Sequence, residues 1–104
     1  MNKRLEMLEK VTASGKADSF AWYALALEYR KLGRIADALA AFHTLRQNDA
    51  EYLPMYLMAG STLLDEQRAA EAAEWLEQGV ALAARKGDGK ALGELQDALT
   101  RARG

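Results

Sequence analysis

The chain of 104 residues contains no cysteine, one proline and one histidine. Without cysteine it can have no disulfide framework, no thiolate metal site and no cysteine nucleophile. Lysine and arginine total 14 against 15 acidic residues, and a net charge of -1 provides no basic surface for nucleic acid. No apolar run is long enough to cross a membrane, and charged residues interrupt the first ten positions, which predicts no signal peptide. These absences favour a cytoplasmic protein.

Residues that could form a catalytic or metal site are also scarce. His43 is the only histidine, so a metal site built on two histidines is impossible, and no serine lies in the setting of a nucleophile. Glu71, Glu74 and Glu77 recur along one predicted helix, where they are expected to form a solvated face. The sequence therefore predicts no enzyme activity, no metal and no cofactor.

What the chain does contain is an internal repeat. The sequence separation between Trp22 and Tyr56 recurs between other pairs of similar residues along the chain. The matched positions of the first repeat are Trp22, Leu25, Ala26, Tyr29, Ala38 and Phe42; those of the second are Tyr56, Ala59, Gly60, Leu63, Ala72 and Leu76. A period of about 34 residues is typical of helix-turn-helix units that must stack to bury their apolar faces.

These positions resemble the signature of the tetratricopeptide repeat family, W-x2-L-G-x2-Y followed by A-x3-F and a closing proline. The proline is absent, with Ala50 and Ala84 in its place. The resemblance implies an all-α fold, a right-handed stack of antiparallel helix pairs that forms a fragment of an α-solenoid. It also implies a protein-protein interaction module whose partner is a protein or peptide.

The apolar periodicity predicts six helices in one helical-repeat domain. Residues such as Gly33 and Pro54 mark where these helices end or begin. Their expected ranges are Lys3 to Ser14, Asp18 or Ser19 to Leu32, Ile35 to Gln47, Pro54 to Glu66, Ala69 to Arg85, and a helix capped by Asp88 that runs through Leu99 or slightly beyond. The domain would divide into an N-terminal half-repeat (1–18), two full repeats (19–52 and 53–86) and a C-terminal cap (87–104). Leu5, Leu8 and Val11 are expected to form the apolar stripe of the first helix. The expected core is Trp22, Leu25, Tyr29, Phe42, Leu45, Tyr56, Leu63 and Leu76.

Three glycines lie inside predicted helices, although a helical glycine costs on the order of 1 kcal/mol relative to alanine. We expect Gly60 to permit a close approach to Ala72, as Ala26 does to Ala38. Gly79 has either a similar packing role or a place on an exposed surface. Gly93, with Leu92 before it, resembles the L-G pair of the signature, so the last helix is either a degenerate first helix or a cap.

A second apolar stripe follows the first helix of each repeat. In the family this flank lines a concave groove, so the predicted partner-binding residues are Tyr23, Leu27, Leu57, Ser61 and Leu64, with Arg30, Lys31, Asp65 and Lys90 on the polar rim. Tyr23, Leu27, Leu57 and Ser61 stand where family members that clamp a carboxylate have Lys, Asn and Arg, so an amphipathic helix or apolar peptide is the expected ligand. Two alternatives remain open: the apolar residues pack between neighbouring helices, or the basic residues simply favour a helix C-terminus.

Two function classes remain, an interaction module and a self-assembling structural unit. The last helix separates them, because repeat stacks need polar caps. Its polar residues Lys90, Glu94, Asp97, Arg101 and Arg103 predict a closed end and a monomer, with a weak homodimer as the alternative. Leu92, Leu95 and Leu99 would cover Trp75 and Leu82.

Overall fold

The computed structural model describes residues 2–104, and within that range the chain forms six helices and no strand. The helices are α1 (Lys3–Ala13), α2 (Ser19–Lys31), α3 (Ile35–Asn48), α4 (Pro54–Asp65), α5 (Ala69–Lys86) and α6 (Gly89–Ala102). All six predicted helices are confirmed, and the earlier five end next to their expected last residues. The residues group into two compact units, one ending at Tyr52 and the other beginning at Leu53.

The helix ends follow from local chemistry. Asp18 accepts a hydrogen bond from the Ala21 N–H at 2.8 Å, and Asp88 accepts one from the Ala91 N–H at 3.0 Å. Each carboxylate satisfies an N–H group that lacks a partner within its helix. Asn2 caps α1 in the same way. The choice between Asp18 and Ser19 is thereby settled for Asp18, and Ser19 instead donates to the Asp49 carboxylate at 2.6 Å.

The turn that follows α2 and the turn that follows α4 have the same geometry. Gly33 adopts a left-handed conformation with φ of 77°, and Gln67, one period later, does so with φ of 59°. In each turn the following arginine N–H donates to a carbonyl five residues earlier at 2.9 Å, Arg34 to Tyr29 and Arg68 to Leu63. This pattern satisfies a carbonyl at the helix end and reverses the chain.

Because a side chain in the left-handed region costs about 1 kcal/mol or more, Gln67→Gly should stabilise the protein by about 0.5–1 kcal/mol. Thermal unfolding would show this as a rise of several degrees in Tm. Gly33→Gln is the matched reverse change, and it should lower Tm, since no atom lies within 4 Å of the added Cβ and only the backbone is affected. A lower Tm for Gln67→Gly would contradict the assignment of strain to this turn.

In the first unit, α2 packs against both α1 and α3. Leu25, Phe42 and Leu45 are buried as expected, whereas Trp22 and Tyr29 are only half-buried. The predicted stripe of α1 also needs correction. Val11 is 41% exposed, and the buried positions are Leu5, Leu8 and Thr12. The Thr12 hydroxyl can be buried because it donates to the Leu8 carbonyl at 2.9 Å.

A buried carboxylate holds α1 to α2. Glu28 is 8% exposed, and its two oxygens accept hydrogen bonds from Asn2 and Arg4, each at 3.2 Å. A charged group pays a large desolvation cost when buried, and these donors offset that cost. The sequence did not predict this contact, because Glu28 precedes the predicted core residue Tyr29 but does not belong to the apolar pattern of α2.

In the second unit, α5 packs against α4 and α6, and α6 also packs against α4. A Cβ on Gly60 would lie 2.5 Å from Leu76, so the nearest side chain to Gly60 is Leu76, while the predicted approach to Ala72 stays a prediction. A Cβ on Gly79 would lie 2.6 Å from Tyr56 and 2.8 Å from Leu95. Gly79 is therefore a packing residue, and the exposed alternative is wrong.

Two expectations for the last helices are also revised. Gly93 is exposed with open space beyond it, so the Leu92-Gly93 pair is not a packing counterpart of Ala59-Gly60. Trp75 is 2% exposed, and its ring lies 6.1 Å from that of Tyr56, so Trp75 packs against its own repeat and does not depend on α6 alone for its cover. Leu95 and Leu99 are buried, while Leu92 is only half-buried.

Candidate peptide-binding surfaces

The predicted binding residues of α2 share one side of that helix. Tyr23, Leu27 and Arg30 are half-buried and Lys31 is exposed, and their spacing of three or four residues places them on one stripe. The Tyr23 ring lies 5.3 Å from that of Tyr52, tilted by 52°. Burial raises the pKa of the Tyr23 hydroxyl, Tyr52 adds to this increase, and Arg30 opposes it. Tyr23 is thus held by a neighbouring ring within the first unit.

One further residue belongs to this stripe and was missed by the sequence analysis. Phe20 lies three residues before Tyr23 in the first turn of α2 and is 63% exposed. We call Phe20, Tyr23, Leu27, Arg30 and Lys31 together the α2 face. The signal was the spacing of three, four and four residues from Phe20 through Tyr23 and Leu27 to Lys31, which continues the stripe one turn earlier.

The corresponding residues of α4 have similar exposure. Leu57, Ser61 and Leu64 are half-buried, and Asp65 is exposed at the end of the helix. These four residues stand one period after the Tyr23, Leu27, Arg30 and Lys31 positions of α2. Lys90 is exposed in the first turn of α6.

A groove of about 490 Å³ separates α4 from α6. Its lining residues are Leu57, Met58 and Ser61 from α4 and Glu94, Asp97 and Arg101 from α6, and we call it the α4–α6 groove. The polar stripe of α6, predicted to form the outer face of a cap, thus places three charged side chains beside Leu57. None of the three side chains forms an ion pair with another residue between 2 and 104. Arg103, the last residue of the predicted polar face, pairs with Glu77.

The first unit contains a different groove of about 370 Å³, lined by residues of α1, α2 and α3. Trp22 and Tyr29 contribute to its lining, which explains why neither is fully buried. Ala41 also lines it, and the residue one period later is Trp75, which packs beside Tyr56 in the second unit. The first repeat lacks that ring, so a groove remains. Comparing Ala41 with Trp75 across the period could have revealed it.

Tyr29 is fixed at the edge of this groove. Its hydroxyl donates to the Glu9 carboxylate at 2.5 Å, and the Arg34 guanidinium lies 4.7 Å from the centre of its ring. Burial, followed by the hydrogen bond to Glu9, raises the pKa of Tyr29 to about 12. Since both carboxylates lining this groove, Glu9 and Asp37, already have partners, it offers less for recognition than the α4–α6 groove.

The structure assembles no catalytic or metal centre from the residues it describes. His43 is exposed and contacts Arg46 across one helical turn, at 3.4 Å. No group of three or more His, Cys, Asp or Glu side chains in residues 2–104 is arranged to hold a metal ion. Glu71 and Glu77, expected on a solvated face, are about half exposed and pair with Arg68 and Arg103.

Comparison with known proteins agrees with this geometry. A family profile described as tetratricopeptide repeat matches residues 21–43 and 53–86. A crystal structure of a tetratricopeptide repeat domain protein from Salinibacter ruber is 37% identical, covers 84% of this chain and 98% of its own, and has a TM-score of 0.77. A solution structure of a Bordetella parapertussis protein is 27% identical over 99% of this chain and 90% of its own, with a TM-score of 0.82. No curated protein is a significant match.

The chain belongs to the tetratricopeptide repeat family, and its fold is the all-helical fold of that family. Members typically act as non-catalytic scaffolds that mediate protein-protein interactions. Among residues 2–104, none of the helices combines the length and apolar character needed to traverse a bilayer.

Proposed function

We propose that the chain is a protein-protein interaction module and that the α2 face of the first unit and the α4–α6 groove of the second are its two binding surfaces for partner proteins. The repetition of the surface carries this proposal. Four positions of α2 recur one period later in α4, and at all of them the side chain is left half or fully exposed. Of the four pairs, Tyr23 and Leu57 are apolar in both helices, and partly exposed apolar side chains that recur in this way are typical of a surface covered by a partner.

The α4–α6 groove of the second unit combines apolar and charged side chains. Leu57 and Met58 supply apolar area, whereas Glu94, Asp97 and Arg101 supply charges that residues 2–104 leave without an ion-pair partner. A binding site needs this combination, because apolar burial stabilises the complex and charged groups select and orient the ligand. Helix α6 would accordingly be part of the binding surface as well as the end of the repeat array.

Leu57→Glu should abolish partner binding while the helical content stays nearly unchanged, because Leu57 is half-buried on the groove wall and a carboxylate there would have to be desolvated by the ligand. The measurement is affinity capture from the source cells followed by mass spectrometry, with circular dichroism as the check on folding. Leu32→Glu is the matched control, because Leu32 is 45% exposed and lies outside both surfaces.

Proteins retained by the parent and by Leu32→Glu but lost by Leu57→Glu would support the proposal. The same proteins retained by all three would contradict it. Self-association is the competing function, and Met7 and Val11, which are exposed four residues apart on α1, favour it. In that case Leu57→Glu would have no effect and the protein alone would sediment as a dimer.

A further inference from the structure

The α2 face has an aromatic end and a basic end. Phe20 is the most exposed large apolar side chain of residues 2–104, with 63% of its area accessible, and Tyr23 with Tyr52 lies one turn further along. Arg30 and Lys31 stand in the last turn of the same helix. From Phe20 to Lys31 the face extends over about twelve residues, roughly 16 Å along the helix axis.

The aromatic end has the character of a binding anchor. Leaving a phenylalanine in water forgoes about 1.5–3 kcal/mol of burial, which a ligand that covers Phe20 would recover. The neighbouring Tyr23 ring is held against Tyr52 in a tilted contact, so it loses little conformational freedom when a ligand binds. Rigid aromatic side chains of this kind contribute a large share of the free energy of binding at protein interfaces.

The basic end determines the charge of the partner. Lys31 is exposed, and Arg34, the next cation along the chain, is already paired with Asp37 at 2.9 Å. Two carboxylates, which would repel an acidic ligand, lie near the other end of the face. Asp18 caps α2, and Asp49 accepts the hydroxyl of Ser19. Lys31 is therefore the exposed positive charge at the C-terminal end of α2 that can attract a carboxylate of a ligand, with Arg30 beside it in the sequence.

Building on the proposed function, we propose that the α2 face binds an acidic, apolar segment of a partner protein, with Phe20 as its principal anchor. Large apolar side chains of the segment cover Phe20 and Tyr23, and carboxylates of the segment reach Arg30 and Lys31. The distance along the face fits about three turns of an amphipathic helix.

Two labelled peptides of about eleven residues test this inference. One has leucine at every third or fourth position and glutamate elsewhere, and the other has lysine in place of each glutamate. Fluorescence anisotropy with the intact protein should show binding of the glutamate peptide, and amide shifts in an NMR titration should map to residues 20–31. Phe20→Ala should weaken this binding about tenfold or more, and Lys31→Glu should weaken it and favour the lysine peptide.

The controls separate binding from folding. Met7→Ala removes a similarly exposed apolar side chain from α1, and Lys86→Glu reverses a charge at the end of α5; neither should change the affinity. If Lys31 only stabilises the end of α2 through the helix dipole, Lys31→Glu will lower Tm without changing peptide binding, and the inference fails.

Three other outcomes would overturn the inference. They are tighter binding of the lysine peptide, an unchanged affinity for Phe20→Ala, and no binding of either peptide at about millimolar concentration. Shifts confined to Leu57, Ser61 and α6 would refute the role of the α2 face and leave the proposed function intact. Loss of the captured partners in Leu57→Glu, tested above, does not depend on these peptides.

Discussion

Phe42→Ala should destabilise the protein by about 3–5 kcal/mol, a large part of the roughly 5–15 kcal/mol that separates folded from unfolded states of small domains. Phe42 has no accessible surface, and it lies on α3, which packs along α2. Truncation would remove the apolar contacts of the ring and leave a cavity that a close-packed helix pair can only partly close. Thermal and urea unfolding followed by circular dichroism would measure the loss.

Phe20→Ala is the matched control for this prediction. The substitution is chemically the same, but Phe20 is 63% exposed. The free energy of unfolding of the protein should therefore change by no more than about 0.5 kcal/mol. A Phe42→Ala protein as stable as the parent, or two variants that unfold alike, would be incompatible with the burial of Phe42.

Ending the chain at Lys86 should lower Tm sharply and cause the remaining protein to self-associate. Leu95 and Leu99 of α6 are 1% and 8% exposed, and Leu95 lies where a Cβ on Gly79 of α5 would meet it. Trp75 and Leu82 lie four residues before and three after Gly79, so they share this side of α5 and would become accessible. Removing the cover from such residues costs about 3–5 kcal/mol at the usual value for buried apolar side chains.

Tryptophan fluorescence and analytical ultracentrifugation would follow this change. A shorter truncation that removes only Arg103 and Gly104 is the control. It deletes the exposed ion pair of Arg103 with Glu77 and should cost about 1 kcal/mol or less. A chain ending at Lys86 that stays monomeric, with unchanged Tm and fluorescence, would show that α6 does not contribute to the core.

Helix positions were predictable because their signals are local. Asp18 and Asp88 cap the helices that follow them, and Gly33 supplies the left-handed residue after α2. The equivalent turn after α4 shows the limit of such signals. Gln67 adopts the same conformation without being glycine, and the Arg68 N–H donates to the Leu63 carbonyl as the Arg34 N–H does to that of Tyr29.

The binding surface was predictable only in part. The repeat period nominated Tyr23, Leu27, Leu57 and Ser61, and each proved to be half-exposed, which leaves their role in binding a prediction. Phe20 was missed because its counterpart at the period is Pro54, so repetition offered no signal. Glu94, Asp97 and Arg101 were recognised as a polar face, but their position beside Leu57 depends on how α6 packs against α4.

The sequence by itself determined the family, the six helices and most of the buried positions, since periodicity and capping act within a few residues of the chain. Only the tertiary structure decided which side of each helix is covered. It buried Thr12 in place of Val11, turned Gly79 towards Tyr56 and Leu95, and left Trp22 beside a groove where Ala41 replaces a tryptophan. The physical reason is that burial depends on the volume and position of side chains from other helices. The apolar pattern of a single helix contains no information about those side chains.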